Sequence, residues 1–150
     1  MHSNKITPFI WLTTENGQLT EAIEYYKAVF NVDFKAGNIT SLGKTPSGNT
    51  EICEIIIFGQ NYSLMSTEKE HHPLNDAISF IISCDGQNEI DHYWNYFTEE
   101  GKASQCGWCI DKYGIRWQII PKNLKELMAK PNAYNIMMAQ KKIIINEYLG

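Results

Sequence analysis

Apolar and polar positions follow two different periods along this chain, and each change of period marks an element. Ile6 to Leu12 is short, apolar and rich in β-formers, and it ends in the turn-prone Thr13-Thr14-Glu15-Asn16-Gly17, which predicts a buried strand. Leu19, Ala22, Ile23, Tyr26, Val29 and Phe30 then recur at helical spacing, with Thr20, Glu21, Glu24 and Lys27 on the other face. That pattern predicts an amphipathic helix stopping near Asn31. Val32 to Ile39 reads as an edge strand and Thr45-Pro46-Ser47-Gly48-Asn49 as a loop. Glu51 to Phe58 and Tyr62 to Met65 read as strands joined by Gly59-Gln60-Asn61.

The second half repeats that order. Ala77 to Ser83 predicts a strand, and Ile90, Trp94 and Phe97 form the apolar stripe of a helix ended by Gly101. Short strands follow around Ala103 to Gln105 and Trp108 to Ile110. A turn at Asp111-Lys112-Tyr113-Gly114 leads into a last strand, Ile115 to Ile120. The two halves lie about 70 residues apart, and this self-similarity predicts two copies of one βαβββ unit. One copy alone leaves a hydrophobic sheet face bare, so the two are expected to pack as one α+β domain. The expected bounds are residues 1–121, with a first module of about 1–67 and a second of about 75–121. Beyond Pro121 the pattern turns helical: Leu124, Leu127 and Met128 form one set, Pro131 breaks it, and Tyr134 to Lys141 follows. Residues 122–150 are expected to be a helical appendage that covers the sheet or contacts a second copy, its Met and Ile residues serving packing.

Composition narrows the partners. With 13 Lys and Arg against 17 Asp and Glu, a net charge of −4 and no basic run, the chain has no electrostatic footprint for nucleic acid or anionic membrane. The N-terminal Met-His-Ser-Asn-Lys-Ile-Thr-Pro lacks the apolar core of a signal peptide, and no run of about 20 apolar residues could span a bilayer. A cytoplasmic protein is expected. There the four cysteines are reduced thiols, and the sequons at Asn38 and Asn61 carry no glycan.

Several local patterns invite chemistry. Cys106-Gly107-Trp108-Cys109 has the spacing of thioredoxin-like centres and of half of many zinc sites. Along an extended strand the two Cα atoms lie about 10 Å apart, so a disulfide closes only if Gly107 makes a bulge or turn. With no second Cys pair and no nearby His, neither redox nor zinc chemistry is expected, and Cys106 is the better candidate for a thiol lining a cavity. His71-His72, beside Glu70 and Asp76, reads as a solvated loop pair that could still form a lid, and His92 as surface. Gly43-Lys44-Thr45 lacks the upstream glycine of a phosphate-binding loop, since residue 38 is Asn. Neither G-x-G-x-x-G after a strand nor G-x-S-x-G occurs.

Pro8-Phe9-Ile10-Trp11-Leu12, Ala22-Ile23-Glu24-Tyr25-Tyr26, Ala77-Ile78-Ser79-Phe80, and Gln105-Cys106-Gly107-Trp108 with Asp111-Lys112-Tyr113-Gly114-Ile115-Arg116-Trp117-Gln118-Ile119-Ile120-Pro121 resemble the PhnB-like branch of the glyoxalase/bleomycin-resistance/dioxygenase (vicinal oxygen chelate) superfamily. The resemblance spans nearly the whole chain, and its C-terminal string is the specific part. It implies paired βαβββ modules whose curled sheets each form half of a cup around a ligand. Enzymes of the superfamily hold a divalent metal with His, Gln or Glu from the first and last strands of each module. Carried onto this chain, those positions fall near Thr7, Ala77, Ser63 and Gln118, of which only Gln118 is even a weak ligand. The resemblance therefore implies no metal and no cofactor. Cys109 also departs from the family, which usually has an aliphatic residue there. A ubiquinone-pathway methyltransferase activity is attributed to this branch, yet such an enzyme of the usual kind needs a doubly wound sheet and a glycine-rich cofactor turn, and neither is legible here.

Alternation puts Phe9 and Trp11 with Thr7, and Ser79 with Ala77, on the side of the cup, while Phe80 and Trp117, out of phase with Ser79 and Gln118, should face the helices. Trp11 and Trp108 then offer π platforms to a planar ligand. The leading expectation is a metal-free small-molecule binding protein with Phe9, Trp11, Ser79, Cys106, Trp108 and Gln118 as ligand-binding residues, dimeric with its own copy because exposed sheet edges and an apolar tail gain by association. The alternatives are a metal-dependent lyase, isomerase or dioxygenase using Gln118 and a His of the His71-His72 loop, and a structural or interaction protein with a vestigial cavity.

Overall fold

The computed structural model of the chain describes residues 5–150. The initial Met-His-Ser-Asn, part of the segment examined for a signal peptide, lies outside the described residues. The chain divides into two compact units, one running to Pro73 and the other spanning Leu74–Gly150.

In the first unit the order is β1 (Phe9–Thr13), α1 (Thr20–Phe30), β2 (Phe34–Ala36), β3 (Thr40–Thr45), β4 (Gly48–Ile57) and β5 (Gln60–Thr67). The sheet runs β1-β5-β4-β2, with β3 also paired to β4. β1 and β5 are parallel, Phe9 opposite Ser63 and Trp11 opposite Met65; the other pairings are antiparallel. Leu12, Cys53, Ile55, Ile57 and Leu64 are buried and close a core with Ala22, Ile23, Tyr26, Val29 and Phe30 of α1. The entry to α1 is tied down by sheet side chains: the Leu19 N–H donates to Glu51 Oε1 at 2.8 Å, and the Ser66 hydroxyl donates to the Gly17 carbonyl. Gly17 has φ 67°, and a Cβ there would stand 1.9 Å from the Asn49 carbonyl oxygen, so this turn accepts only glycine.

Two departures from the sequence expectation have clear causes. β1 begins at Phe9 rather than Ile6, because Pro8 contributes only its carbonyl to the Ser63 N–H, and Ile6 stays exposed. The expected edge strand Val32–Ile39 is a 3-10 turn followed by three residues of β2, and Thr40–Thr45 forms a strand that was not foreseen. β3 makes a hairpin with the first half of β4 across Pro46-Ser47, within the stretch expected to be a loop. Most of its side chains are exposed, so the backbone ladder alone holds it and no hydrophobic period betrays it.

The second unit contains β6 (Phe80–Cys84), α2 (Gln87–Glu100), β7 (Lys102–Ala103), β8 (Trp108–Ile110) and β9 (Arg116–Pro121). Its sheet runs β6-β9-β8-β7 with β6 and β9 parallel, a βαβββ unit that matches the β1-β5-β4-β2 order of the first unit, where β3 is an additional strand. β6 starts at Phe80 instead of Ala77 because the Asn75 carboxamide accepts the Ala77 N–H and keeps that segment in a turn. Ile82, Cys84, Cys109, Trp117 and Ile119 are buried with Ile90, Trp94 and Phe97 of α2, and Trp117 stacks on Phe97 at 5.0 Å with an interplanar angle of 2°. After Pro121 come α3 (Leu124–Met128), α4 (Ala133–Ala139) and a 3-10 turn over Ile145–Tyr148. This tail is fastened within its own unit. The Gln140 and Lys141 carbonyls accept the Cys106 and Gly107 N–H groups, Gln87 bonds the backbone at Ile143 and Ile145, and Lys142 pairs with Asp91 at 3.0 Å.

Asp111 organises the turn into β9. It is 2% exposed; Oδ1 accepts the Tyr113 and Ile115 N–H groups at 2.8 and 3.0 Å, and Oδ2 accepts the Trp117 indole N–H at 2.9 Å. Replacing it with alanine strands three donors in a buried place. Asp111→Ala is expected to lower the unfolding free energy by about 3 kcal/mol and Asp111→Asn by about half of that. Urea denaturation of both variants checks this, and an unchanged midpoint for Asp111→Ala would refute the role.

Candidate functional site

Each sheet has one face against its helix and one face away from it. In the second unit the helix side holds Phe80, Ile82 and Cys84 with Trp117 and Ile119; the other side holds Ile81 and Ser83 with Arg116, Gln118 and Ile120, and Trp108 opposite Gln118. Phe80 lies 5.7 Å from Trp117 on the helix side. On the helix-free side Gln118 Nε2 donates to Ser79 Oγ at 2.8 Å, so these two residues and Trp108 come together. Ile81 beside them is 57% exposed. The result is a face on which an oriented amide and hydroxyl stand beside Trp108 and Ile81, with the Arg116 guanidinium taken up by its own hydrogen bonds.

Arg116, at the start of β9, was not singled out in the sequence. Its guanidinium donates to Asp76 Oδ1, the Leu74 carbonyl and the Gly114 carbonyl, which anchors the segment leading to Ser79. Its position two residues before Gln118, on the same strand face, was the available signal.

In the first unit Phe9 and Trp11 share the helix-free side with Ser63, Met65 and Glu54. Phe9 is 59% exposed. The Trp11 indole N–H donates to Thr67 Oγ1 at 2.7 Å, and the His71 and His72 rings each lie 5.9 Å from the Trp11 ring. The histidine pair thus packs beside one of the expected ligand platforms. Ser63 Oγ donates to Glu54 Oε1 at 2.6 Å, a carboxylate the sequence reading passed over. Its phase, two residues from Ile52 and from Ile56 in β4, could have placed it.

Cys106 stands apart from the strand positions of either face. It occupies a tight turn with φ 57°, followed by Gly107 at φ 82° and closed by the Trp108 N–H to the Gln105 carbonyl at 2.9 Å. Gly107 therefore does make the turn that a disulfide required, yet Cys53, Cys84, Cys106 and Cys109 are all free thiols. Burial, with the Asp111 charge adding to it, pushes the Cys109 thiol up to about 12, the opposite of a redox-active thiolate.

The residues at the superfamily's metal positions do not fit a divalent ion. Thr7 and Ala77 are exposed and lie outside the strands, Ser63 is engaged by Glu54, and Gln118 adds one neutral carboxamide oxygen, too few ligands for a divalent ion. Among the described residues no group of three or more His, Cys, Asp or Glu side chains converges as metal ligands.

A family model described as 3-demethylubiquinone-9 3-methyltransferase matches residues 4–120. The chain belongs to that family. Solved structures similar to it include the PhnB protein from Bacillus cereus, with a TM-score of 0.65 and 24% identity over 79% of this chain and 99% of that one. FosX, a fosfomycin resistance protein from Listeria monocytogenes, was solved with Mn(II) and sulfate and gives 0.51 at 18% identity, covering 84% and 98%. FosX from Mesorhizobium loti gives 0.55 at 12% identity, covering 87% and 100%. Among curated proteins no sequence matches. These likenesses bear out the PhnB-like placement in the vicinal oxygen chelate superfamily and its α+β fold. No helix of the described residues is long and apolar enough to cross a membrane.

The family's description names a methyltransferase, and the turns after the first strands test that. The β1 turn is closed by Asn49 against Gly17, where a cofactor would need room, and each unit has a mixed sheet with a single crossover helix rather than a doubly wound parallel sheet. The residues of this family member do not fit a methyl-donor site of the usual kind.

Two measurements follow from the thiols. Cys106 is half-buried while the other three cysteines are buried, so thiol titration of the native protein is expected to count one reactive group and that of the unfolded protein four. Cys84 and Cys109 are each pushed up to about 12 from 9.0, chiefly by burial, so the neutral thiol stabilises the fold below pH 9 and that contribution is lost as the pH rises towards 12. The expected slope is about 1.4 kcal/mol per pH unit for each thiol above pH 9. Urea midpoints across that range should flatten in the Cys84→Ala/Cys109→Ala variant; an unflattened curve would assign the loss elsewhere.

Proposed function

We infer that this chain is a small-molecule binding protein that works without a metal, and that the helix-free faces of its sheets receive the ligand. The observation that carries this reading is the second unit's Gln118–Ser79 pair. It fixes an amide and a hydroxyl beside Trp108 and the exposed Ile81. Few oriented polar groups on an apolar and aromatic surface are what small-molecule recognition uses. Phe9 and Trp11 offer a comparable aromatic surface in the first unit, with His71 and His72 beside it. Cys106, in its turn against the tail, is kept as a ligand-binding candidate of lower rank. The net charge of −4 without a basic run supports the expectation of no nucleic acid and no membrane partner. We place the protein in the cytoplasm as a homodimer, in keeping with its reduced thiols and its exposed apolar residues such as Val32, Tyr134 and Met138.

Native mass spectrometry of freshly purified protein tests this reading. The expected result is a dimer carrying an organic compound of defined mass. A stoichiometric divalent metal, lost on Gln118→Ala, would overturn it in favour of a metal-dependent enzyme. With the dye 8-anilinonaphthalene-1-sulfonate as probe, Gln118→Ala and Trp108→Ala are each expected to weaken binding about tenfold, the loss of one oriented hydrogen bond or one stacking surface. Binding unaffected by both would remove the second-unit face from the site.

A further inference from the structure

On the first unit's helix-free face a group of charged and amide side chains allows a sharper statement, which rests on the reading of that face as a ligand surface. On the helix-free side of its sheet, Lys35 of β2 and Asn61 of β5 lie on either side of Ile56 of β4, and Glu54 lies two residues along β4. These residues line a cleft of about 450 Å³, a size ordinary for small-molecule sites. Its wall at the end of β2 is bare backbone: the Gly37 N–H donates to the Glu54 carbonyl, and no side chain fills the space.

The cleft holds opposite charges that do not pair with each other. Lys35 and Glu54 are diagonal neighbours across the β2–β4 pair, with Cβ atoms about 7 Å apart, a spacing at which opposite charges commonly pair. Here they do not. Glu54 Oε1 is drawn to the Ser63 hydroxyl at 2.6 Å, and among the described residues neither the Lys35 ammonium nor the Asn61 side-chain carboxamide has a protein partner. A cation, a carboxylate and an amide therefore flank one apolar floor, Ile56, with the carboxylate held in place by a neighbour.

We propose that this cleft binds a small zwitterion of the amino-acid type, its carboxylate on Lys35, its ammonium on Glu54 and its carbon skeleton on Ile56. A simple anion would engage only Lys35 and a simple cation only Glu54, and either would leave the other charge unanswered. A molecule with both groups joins the two through charge-assisted hydrogen bonds that the protein does not make internally.

The test is a backbone-amide NMR titration of the whole chain with L-alanine and glycylglycine, each raised to about 50 mM, well past a millimolar Kd. Acetate and ethylammonium serve as half-probes. The expected result is saturating shifts at the amides of Lys35, Gly37, Ile56 and Asn61 with a zwitterion, and binding at least about tenfold weaker for each half-probe. Lys35→Met and Glu54→Gln, both at exposed positions, should each weaken the zwitterion about tenfold while the remaining spectrum stays unchanged. The charge-swapped variant K35E/E54K should recover binding, because a zwitterion can turn round. Absence of shifts, equal shifts from acetate or ethylammonium, or indifference to both single substitutions would overturn the proposal. The Gln118 side-chain amide and the Trp108 indole report separately on the second unit, so failure of one reading is distinguishable from failure of the other.

Discussion

Parallel pairing of the first and last strands is the constraint on which both units are built. β1 lies parallel to β5 and β6 parallel to β9, and a parallel neighbour cannot be reached by a tight turn. The chain must leave the sheet, cross over it as a helix, and return through antiparallel strands that end beside the first. That crossover covers one face of each sheet with α1 or α2 and leaves the other face to different residues. Alternation along β9 turns this into chemistry: Trp117 and Ile119 go to the helix, while Arg116, Gln118 and Ile120 go to the other side.

The helices are held in place by polar anchors as well as by apolar contact, and the two units use different ones. In the first, two sheet side chains reach the backbone ahead of α1: Glu51 accepts the Leu19 N–H, which would otherwise lack an acceptor, and the Ser66 hydroxyl donates to the Gly17 carbonyl. In the second, the buried Asp111 collects two backbone N–H groups and the Trp117 indole, which fixes the ring that stacks on Phe97 of α2. A free carboxylate would be costly in such a place; one with three donors is a well-satisfied acceptor. The duplicated architecture has therefore been secured twice, by unrelated side chains.

What could be read in the sequence divides along the same physical line. α1, α2 and the central strands were legible because burial imposes a period, and the phase of Phe80 and Trp117 against Ser79 and Gln118 followed from it. β3 was not legible, since a strand with exposed side chains is specified by its backbone partner in β4 and by nothing in its own pattern. Nor was the fastening of the tail, where Gln87 bonds the Ile143 carbonyl, Asp91 pairs with the Lys142 ammonium and the Gln140 carbonyl accepts the Cys106 N–H, all between positions far apart along the chain. At the candidate sites, the strand faces of Phe9, Trp11, Ser79 and Gln118 were legible, because strand alternation and the family resemblance both point to them. Glu54 and Arg116 were missed because a charged residue in a strand reads first as a solvated one, and only cross-strand register shows that Glu54 meets Ser63.

The helix-free faces of the two units have taken different chemical characters on one scaffold. In the second unit a neutral amide bonded to a hydroxyl stands beside Trp108 and Ile81, on the same face as Ser83 and Arg116. In the first, a carboxylate bonded to a hydroxyl is accompanied by a lysine and by the Trp11–His71–His72 cluster. Both pairs use serine to hold a longer side chain in one orientation, which lowers the entropy a ligand must remove when it binds. Hydrogen-bonded recognition of an organic molecule uses these pairs as they stand, whereas a divalent ion would need further ligands beside them, and among the described residues no three His, Cys, Asp or Glu side chains converge.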